Sequence, residues 1–259
     1  MHVAEKELNV WTIEGSPEPK VVAAGHSHIL AMLGGLHSSA DLQQKPLAIQ
    51  YSMDRAIWPN IDDKYWGQLQ RLPSVETVLI CWNGNQHNSQ FLLEPEPRIS
   101  VHQDFVQDEE SQNAVVPLSM FDELWMPDFQ LLERAIRIVS LTKKIVLIGT
   151  PPPKSENEIR NNLRNDEFFL SILSKSGIKI EGCPISSDMF RFVLWKRIQQ
   201  NLEQIARING APFVHVPSVV FENGMTLRSE YSAPDASHAN HLYGQVMWEA
   251  ALKKIEISV

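Results

Sequence analysis

Ser27, Asp235 and His238 are the residues whose types could together carry out nucleophilic chemistry. Ser27 stands between His26 and His28, and Asp235 lies three residues before His238 near the other end of the chain. A serine hydroxyl attacks well only when a base takes its proton and a carboxylate orients that base and stabilises its charged form. The chain therefore contains one candidate for each role, although each residue taken alone has an ordinary explanation. A serine at a helix start can be a simple N-cap.

Asn85 could supply a further requirement of acyl transfer, a donor to a negatively charged oxygen. It follows a nearly continuous apolar run that ends at Trp82, and Gly84 precedes it directly. Preorganised donors of this kind usually make the largest contribution to acyl-transfer catalysis. We expect Trp82 and Gly84 to border the same site, with core packing as the default alternative for the tryptophan.

Five apolar runs that alternate with helical patterns must position these residues. The predicted strands cover residues 21–25, 46–51, 75–82, 143–150 and 212–216. The predicted helices cover residues 28–37, 65–72, 121–141 with an interruption at Pro127, 161–175, 188–209 and 238–255. This alternation predicts an α/β fold with a parallel sheet and helices on both faces. Ligands bind beyond the carboxyl ends of such strands, where Ser27 and Asn85 are expected.

The ordered motifs resemble those of the SGNH/GDSL hydrolase family. The family's Gly-Asp-Ser, Gly-x-Asn-Asp and Asp-x-x-His blocks correspond here to Gly25-His26-Ser27, Asn83-Gly84-Asn85-Gln86 and residues 235–238, followed by Asn240 and Gly244. The run of Thr150 and three prolines is similar to the family's loop after the fourth strand. The resemblance spans residues 21–244, which is most of the chain.

The resemblance implies a three-layer α/β/α sandwich, flavodoxin-like, with a mostly parallel sheet of about five strands. It also implies a serine esterase without a cofactor, with Ser27 as nucleophile, His238 as base and Asp235 as its partner. Asn85 and the Ser27 backbone N–H would form the oxyanion hole. The expected substrate is an ester of a small acyl group, acetyl for example, on a carbohydrate or another small molecule.

Three departures from the family pattern leave alternatives open. His26 and Gln86 replace aspartates, and residues 37–66 contain no glycine for the family's second-block donor, which a backbone N–H near Ser52 or Asp54 could replace. His26 is either a charged neighbour that repels the base or a neutral residue of the site wall. An O-acyltransferase with the same triad and a catalytically inactive binding module are therefore the two alternative functions.

Histidines near the expected site also suggest a metal, but no complete ligand motif accompanies them, so we expect no metal site. Residues 87–116 lack periodicity and predict an insertion, which is either a lid or a solvated loop.

Composition restricts the partners of the protein. The chain has 259 residues, a formal net charge of −8 and a hydrophobic fraction of 43%, which is ample for one domain over residues 1–259. The negative charge argues against nucleic acid and anionic membranes as partners. No apolar run approaches the roughly 20 residues of a membrane helix, and the first 20 residues do not resemble a secretory signal. We therefore expect a cytoplasmic protein, and the sequence leaves its oligomeric state undetermined.

Overall fold

A computed structural model describes residues 10–51, 61–83, 85–96, 98–102 and 114–257 of the protein. The strands in the described part are β1 (Val10–Trp11), β2 (Val21–Gly25), β3 (Leu47–Gln50), β4 (Thr77–Cys81), β5 (Ile99–His102), β6 (Ala114–Pro117), β7 (Lys144–Ile148), β8 (Phe213–Val214), β9 (Phe221–Glu222) and β10 (Thr226–Leu227). The α-helices in the same part are α1 (Ile29–Ser38), α2 (Ala40–Gln43), α3 (Asp63–Leu69), α4 (Gln86–Ser89), α5 (Leu118–Ser140), α6 (Glu156–Asn162), α7 (Glu167–Lys175), α8 (Asp188–Ile208) and α9 (His241–Ile257).

The central sheet has six strands in the order β1-β3-β2-β4-β7-β8. Five of them pair in parallel, and β1 is an antiparallel edge strand beside β3. Two small two-stranded sheets, β5-β6 and β9-β10, lie outside it. The fold is thus α/β with a mostly parallel sheet, as the alternation of apolar runs predicts.

Alternate residues of the central strands face two separate helix layers. On β2 and β4, Val22, Ala24, Val78 and Ile80 pack in a core with α3, α5 and α8. The residues between them, Val21, Ala23, Leu79 and Cys81, pack in a second core with α1 and α9. Because both faces are covered, the strands are apolar along most of their length, which is why they stand out in the sequence.

The strand order places β2 beside β4, with β3 and β7 on their outer sides. The parallel connections leave in opposite directions from this point, so a crevice opens beyond the carboxyl ends of β2 and β4. Ser27 follows β2 and Asn85 follows β4, and the paired residues Gly25 and Cys81 bring the two strand ends level. The topology alone therefore brings the two candidate residues to one edge of the sheet.

Helices α1 and α9 pack closely at glycines. A Cβ atom on Gly244 would lie 1.8 Å from the carbonyl oxygen of Ala31, and one on Gly35 would lie 2.6 Å from the backbone of Gln245. The Trp248 indole N–H also donates to the Met32 carbonyl oxygen at 2.9 Å. These contacts fix the start of α9 against α1.

Several predicted boundaries differ from the structure. Helix α5 runs unbroken through Pro127, whose side of the helix is exposed. The predicted helix 161–175 is divided, because Asp166 caps α7 by accepting a hydrogen bond from the Phe169 N–H at 3.2 Å. The last helix begins three residues later than predicted, because Asn240 Oδ1 accepts from the Leu242 N–H at 2.9 Å.

The predicted insertion, residues 87–116, contains most of α4 as well as β5 and β6, which pair in parallel. Residues 103–113, the middle of the predicted lid or solvated loop, lie outside the described residues.

Candidate active site

The turn that carries Ser27, residues 25–28 (the serine turn), is fixed by a close approach of two strands. Gly25 has φ +143°, and a Cβ atom there would lie 2.0 Å from the Cys81 carbonyl oxygen, so only glycine fits. The next residue, His26, donates its backbone N–H to that same oxygen at 2.9 Å. The chain therefore leaves the sheet at a fixed angle and presents Ser27 just before α1.

Tyr65 on α3 ties the serine turn to the neighbouring strand. Its hydroxyl accepts from the Gly25 N–H and donates to the Gln50 carbonyl oxygen, both at 2.9 Å. Tyr65 is 2% exposed, and burial raises the pKa of its phenol well above the usual range. The neutral hydroxyl thus serves as a link between the ends of β2 and β3.

The second turn of the site, residues 233–238 (the histidine turn), presents Asp235 and His238. The Ala233 N–H donates to the His238 carbonyl oxygen at 3.0 Å and closes the turn. Asp235 Oδ1 accepts the backbone N–H groups of Ser237 at 2.8 Å and of His238 at 2.7 Å. These bonds leave the other carboxylate oxygen directed at the imidazole.

The structure brings Ser27, His238 and Asp235 into one hydrogen-bonded chain. His238 Nδ1 lies 3.0 Å from Asp235 Oδ2, and His238 Nε2 lies 3.1 Å from Ser27 Oγ. Both distances are within hydrogen-bond reach, as expected of a nucleophile, its base and an orienting carboxylate. The His238 side chain is 36% exposed and the Asp235 side chain 27%, so the chain of groups is open to small molecules on one side.

The surroundings of Asp235 favour its charged form. Burial by itself would raise the pKa of this carboxyl, but hydrogen bonds from the His238 ring and backbone, together with the charges of His238 and Lys154, hold the pKa well below its usual range. A carboxylate that keeps its charge can stabilise a protonated imidazole beside it.

Lys154 lies behind the histidine turn and is 1% exposed. Its Nζ donates to the carbonyl oxygens of Ala233 and Asp235, both at 2.6 Å, and lies 3.4 Å from Asp235 Oδ1. Burial is the main influence on the Lys154 pKa and lowers it, while the Asp235 charge opposes the shift. On the other side of the turn, the Ala236 N–H donates to Asp166 Oδ2 at 3.2 Å.

Asn85 lies at the carboxyl end of β4, next to the serine turn, where it precedes the short helix α4. Its Oδ1 accepts from Asn88 Nδ2 at 2.8 Å. This bond occupies the carbonyl side of the Asn85 amide and leaves the N–H₂ group as its donor side. The neighbouring Gln86, in the position of a family aspartate, instead donates to the buried Asp128 at 3.1 Å.

His26 and His28 are both buried, at 2% and 7% exposure. Burial lowers the pKa of each to about 3, and for His28 the nearby His238 and His26 act in the same direction. His26 is therefore neutral near pH 7, so of the two alternatives the structure favours the uncharged residue. The His28 ring lies 5.9 Å from the His238 ring, between centroids.

Trp82 belongs to the core rather than to an exposed pocket wall. It is 2% exposed, its ring stacks on Trp66 with centroids 6.1 Å apart, and the His26 ring meets it edge-on at 4.6 Å. The other two expected border residues, Ser52 and Gly84, lie outside the described residues, as does Asp54.

Sequence reasoning missed two residues that support the site, namely Lys154 and Tyr65. Lys154 follows a proline run and Tyr65 has the spacing of a core residue, so neither carries a sequence signal. Within the described ranges, no group of three or more His, Cys, Asp or Glu side chains is arranged to hold a metal ion. In the same ranges, no helix combines the length and apolar character needed to cross a membrane.

Comparison with known proteins gives similarity at the level of structure. A scan against models of protein families finds no match, and a search of curated proteins also finds none. Among solved structures, the chain is similar to the periplasmic domain of a lipopolysaccharide acetyltransferase from Salmonella ser. Paratyphi A, with 14% identity over 92% of this chain and 84% of that chain and a TM-score of 0.49.

Two further solved structures are similar. One is a catalytic mutant of an acetylxylan esterase from Geobacillus stearothermophilus, with 14% identity over 93% of this chain and 95% of that chain and a TM-score of 0.47. The other is a GDSL-like lipase from Bacteroides thetaiotaomicron VPI-5482, with 14% identity over 92% of this chain and 88% of that chain and a TM-score of 0.42. At this identity the similarity concerns the general fold.

Proposed function

We propose that the protein is a serine esterase that removes a small acyl group, with acetyl the first to test, from a carbohydrate or another small molecule. The observation that carries the proposal is the hydrogen-bonded chain from Ser27 Oγ through both ring nitrogens of His238 to Asp235. A buried turn that only needed an N-cap would not require this alignment of three groups from opposite ends of the sequence.

In the acylation step, His238 Nε2 takes the Ser27 hydroxyl proton while Oγ attacks the ester carbonyl carbon. Asp235 accepts the Nδ1–H and stabilises the imidazolium that forms. The tetrahedral intermediate collapses when its bond to the alcohol oxygen breaks and His238 returns the proton to that oxygen. The products are the free alcohol and an acyl ester of Ser27.

In the deacylation step, His238 removes a proton from a water molecule, whose oxygen attacks the acyl carbon. The bond from this carbon to Ser27 Oγ then breaks, and His238 returns the proton to Oγ, which releases the carboxylic acid and restores the Ser27 hydroxyl. An acceptor alcohol in place of water would give acyl transfer by the same steps. Hydrolysis and transfer therefore differ only in which hydroxyl occupies the site beside His238.

The negative charge on the carbonyl oxygen needs donors in both steps. We assign this role to the Asn85 amide and to the backbone N–H of Ser27, which lies at the start of α1, where amide N–H groups lack partners within the helix. Both donors lie at the carboxyl edge of adjacent strands.

A fluorophosphonate probe tests the proposal, because it forms a stable bond only with an activated serine. We expect mass spectrometry to locate the label on Ser27 of the folded protein, and the variants Ser27→Ala and His238→Gln to remain unlabelled. Ser229→Ala, which changes an exposed serine outside the hydrogen-bonded chain, should label like the unsubstituted protein.

Chromogenic acyl esters then define the reaction. Release of acid in water supports the esterase, and a higher rate with formation of a new ester on added sugar alcohols would indicate transfer. A folded protein that neither labels at Ser27 nor turns over short acyl esters would reject the proposal in favour of a binding module.

A further inference from the structure

Lys154 is a buried cation that the catalytic steps above do not use. A lysine with 1% exposure is unusual, because removal of an ammonium group from water is costly unless acceptors replace the water. Here three acceptors surround Nζ, the carbonyl oxygens of Ala233 and Asp235 at 2.6 Å and Asp235 Oδ1 at 3.4 Å. All three belong to the histidine turn.

The backbone groups of the histidine turn bind two charged side chains, those of Asp235 and Lys154. Its N–H groups at Ser237 and His238 point to the Asp235 carboxylate, and its carbonyl oxygens at Ala233 and Asp235 point to Lys154. The Asp235 carboxylate and the Lys154 ammonium thus both hold the turn, and they lie 3.4 Å apart. The orientation of His238 depends on both.

Hydrogen bonds also hold the backbone of Lys154 in place. Its carbonyl oxygen accepts from Arg191 Nη1 at 2.7 Å, and Arg191, which is 0% exposed, also binds the Ser186 carbonyl oxygen and Asp188. The next bond along, from the Leu227 N–H to the Pro153 carbonyl oxygen at 2.8 Å, joins this segment to β10. The backbone that carries the Lys154 side chain is therefore held from α8 and from β10.

We propose that Lys154 is a positioning residue of this site, which holds the histidine turn by its hydrogen bonds and balances the Asp235 carboxylate by its charge. The proposal rests on the proposed function, since it assigns the support of the Ser27–His238–Asp235 chain. It predicts that loss of Lys154 has two separable effects. The histidine turn loses hydrogen bonds that hold its geometry, and the Asp235 carboxylate loses the positive charge that balances it.

The sign of the electrostatic effect follows from the neighbouring groups. Asp235, Lys154 and Asp166 are charged groups that bind the turn, His28 is neutral beside the His238 ring, and Glu158 and Asp166 act on Lys154 from α6 and from the start of α7. Loss of the Lys154 charge leaves the Asp235 charge unbalanced, which favours a protonated His238. The acid limb of activity should then move to higher pH.

The test compares Lys154→Met with a matched substitution, Lys143→Met. Lys143 Nζ also donates to two backbone carbonyl oxygens, those of Leu72 at 2.5 Å and Val75 at 2.8 Å, but it lies next to β7 at the opposite edge of the sheet. Two quantities are measured in both variants: the rate of fluorophosphonate labelling against pH, and the pH midpoint of the His238 imidazole resonances by NMR, assigned with His238→Gln.

In Lys154→Met, we expect the acid limb of the labelling rate against pH and the NMR midpoint of His238 to lie higher by about half a pH unit or more. We also expect Ser27 to be labelled at least tenfold more slowly near pH 7. Lys143→Met should match the unsubstituted protein in both. If Lys154→Met does not fold, the same NMR titration is carried out on Lys154→Gln. Glutamine can donate to the carbonyl oxygens but carries no charge, so this variant tests the electrostatic effect.

A folded Lys154→Met or Lys154→Gln variant with an unchanged NMR midpoint and labelling rate would overturn the proposal. The NMR titration needs no activity. An unlabelled Ser27 in the unsubstituted protein would therefore reject the esterase function, while the titration would still decide the role of Lys154.

Discussion

The serine turn and the histidine turn meet at the same edge of the sheet, but different interactions hold them. The serine turn is held by the close approach of Gly25 to Cys81 and by the neutral hydroxyl of Tyr65, and its own two histidines are buried and uncharged. The histidine turn is held by charges, those of the Asp235 carboxylate and of the neighbouring Lys154 ammonium.

The difference matches the part that each turn would take in the reaction. A nucleophile needs a fixed position and a neutral ground state, which steric contacts and dry packing provide. A base that gains and loses a proton needs a charged partner whose interaction changes with protonation. Substitutions in the serine turn should therefore act through position and stability, and those in the histidine turn through protonation.

The largest effect is expected for Asp235→Asn. Oδ1 is bound by two backbone N–H groups, so an asparagine would keep its oxygen there and turn its N–H₂ toward His238 Nδ1. The ring would then carry its proton on Nε2 and could not accept the Ser27 proton. We expect kcat to fall by about 10⁴. Steady-state kinetics on a chromogenic acyl ester measure it.

Asp166→Asn is the matched control for that substitution, because Asp166 holds the same turn through the Ala236 N–H without touching His238. A comparable loss in both variants would mean that Asp235 acts only through the shape of the turn.

A smaller effect is expected for Asn85→Ala, on the side of the serine turn. Loss of one oxyanion donor should lower kcat by about 10²–10³. KM should change little, because the contact strengthens in the transition state. Asn88→Ala, which frees the Asn85 amide without removing it, should cost less, and an unchanged kcat in folded Asn85→Ala would exclude this residue from the site.

Tyr65→Phe tests the neutral link between β2 and β3. It leaves the Gly25 N–H and the Gln50 carbonyl oxygen buried without their partner, so we expect a loss of about 1–3 kcal/mol in the free energy of unfolding. Urea denaturation measures it, and the acid limb of activity should stay in place. A shifted limb would show that the serine turn also acts through protonation.

The last prediction concerns the pH dependence of stability that the two buried histidines cause. Below about pH 6.5 the unfolded chain binds protons at His26 and His28, whereas the folded protein binds them only near pH 3, so stability rises with pH between these values. Each histidine contributes up to about 1.4 kcal/mol per pH unit. Asp235, whose folded pKa is lowered, loses its contribution only below about pH 4.

Urea denaturation at pH 7 and pH 5 isolates the histidine contribution. His28→Leu should lose less stability between the two values than the unsubstituted protein, while His37→Leu, at an exposed position of the same helix, should keep the full loss. Equal losses in all three proteins would contradict the neutral packing of the serine turn.

The sequence predicts the five parallel strands because each is buried on both faces, and it brings Ser27 and Asn85 to one edge because parallel strands end there. It does not predict the two-residue strand β1, which is too short for a periodic signal. It also does not reveal Lys154, since a lysine is ordinarily a surface residue and its acceptors are backbone carbonyl oxygens, which every residue has. The sequence also does not predict the division of residues 161–175 at Asp166. This residue caps α7 and binds the Ala236 backbone N–H, a partner that is distant in the sequence.

The glycine contact between α1 and α9 has a consequence for the order of folding. Ser27 lies just before α1 and His238 just before α9, and 211 residues of chain separate them. Their alignment must wait until α9 has docked on α1, which is a long-range contact and therefore slow to form. Reactivity of Ser27 toward a fluorophosphonate should thus return late in refolding, after secondary structure has formed, and can serve as a clock for the last docking step.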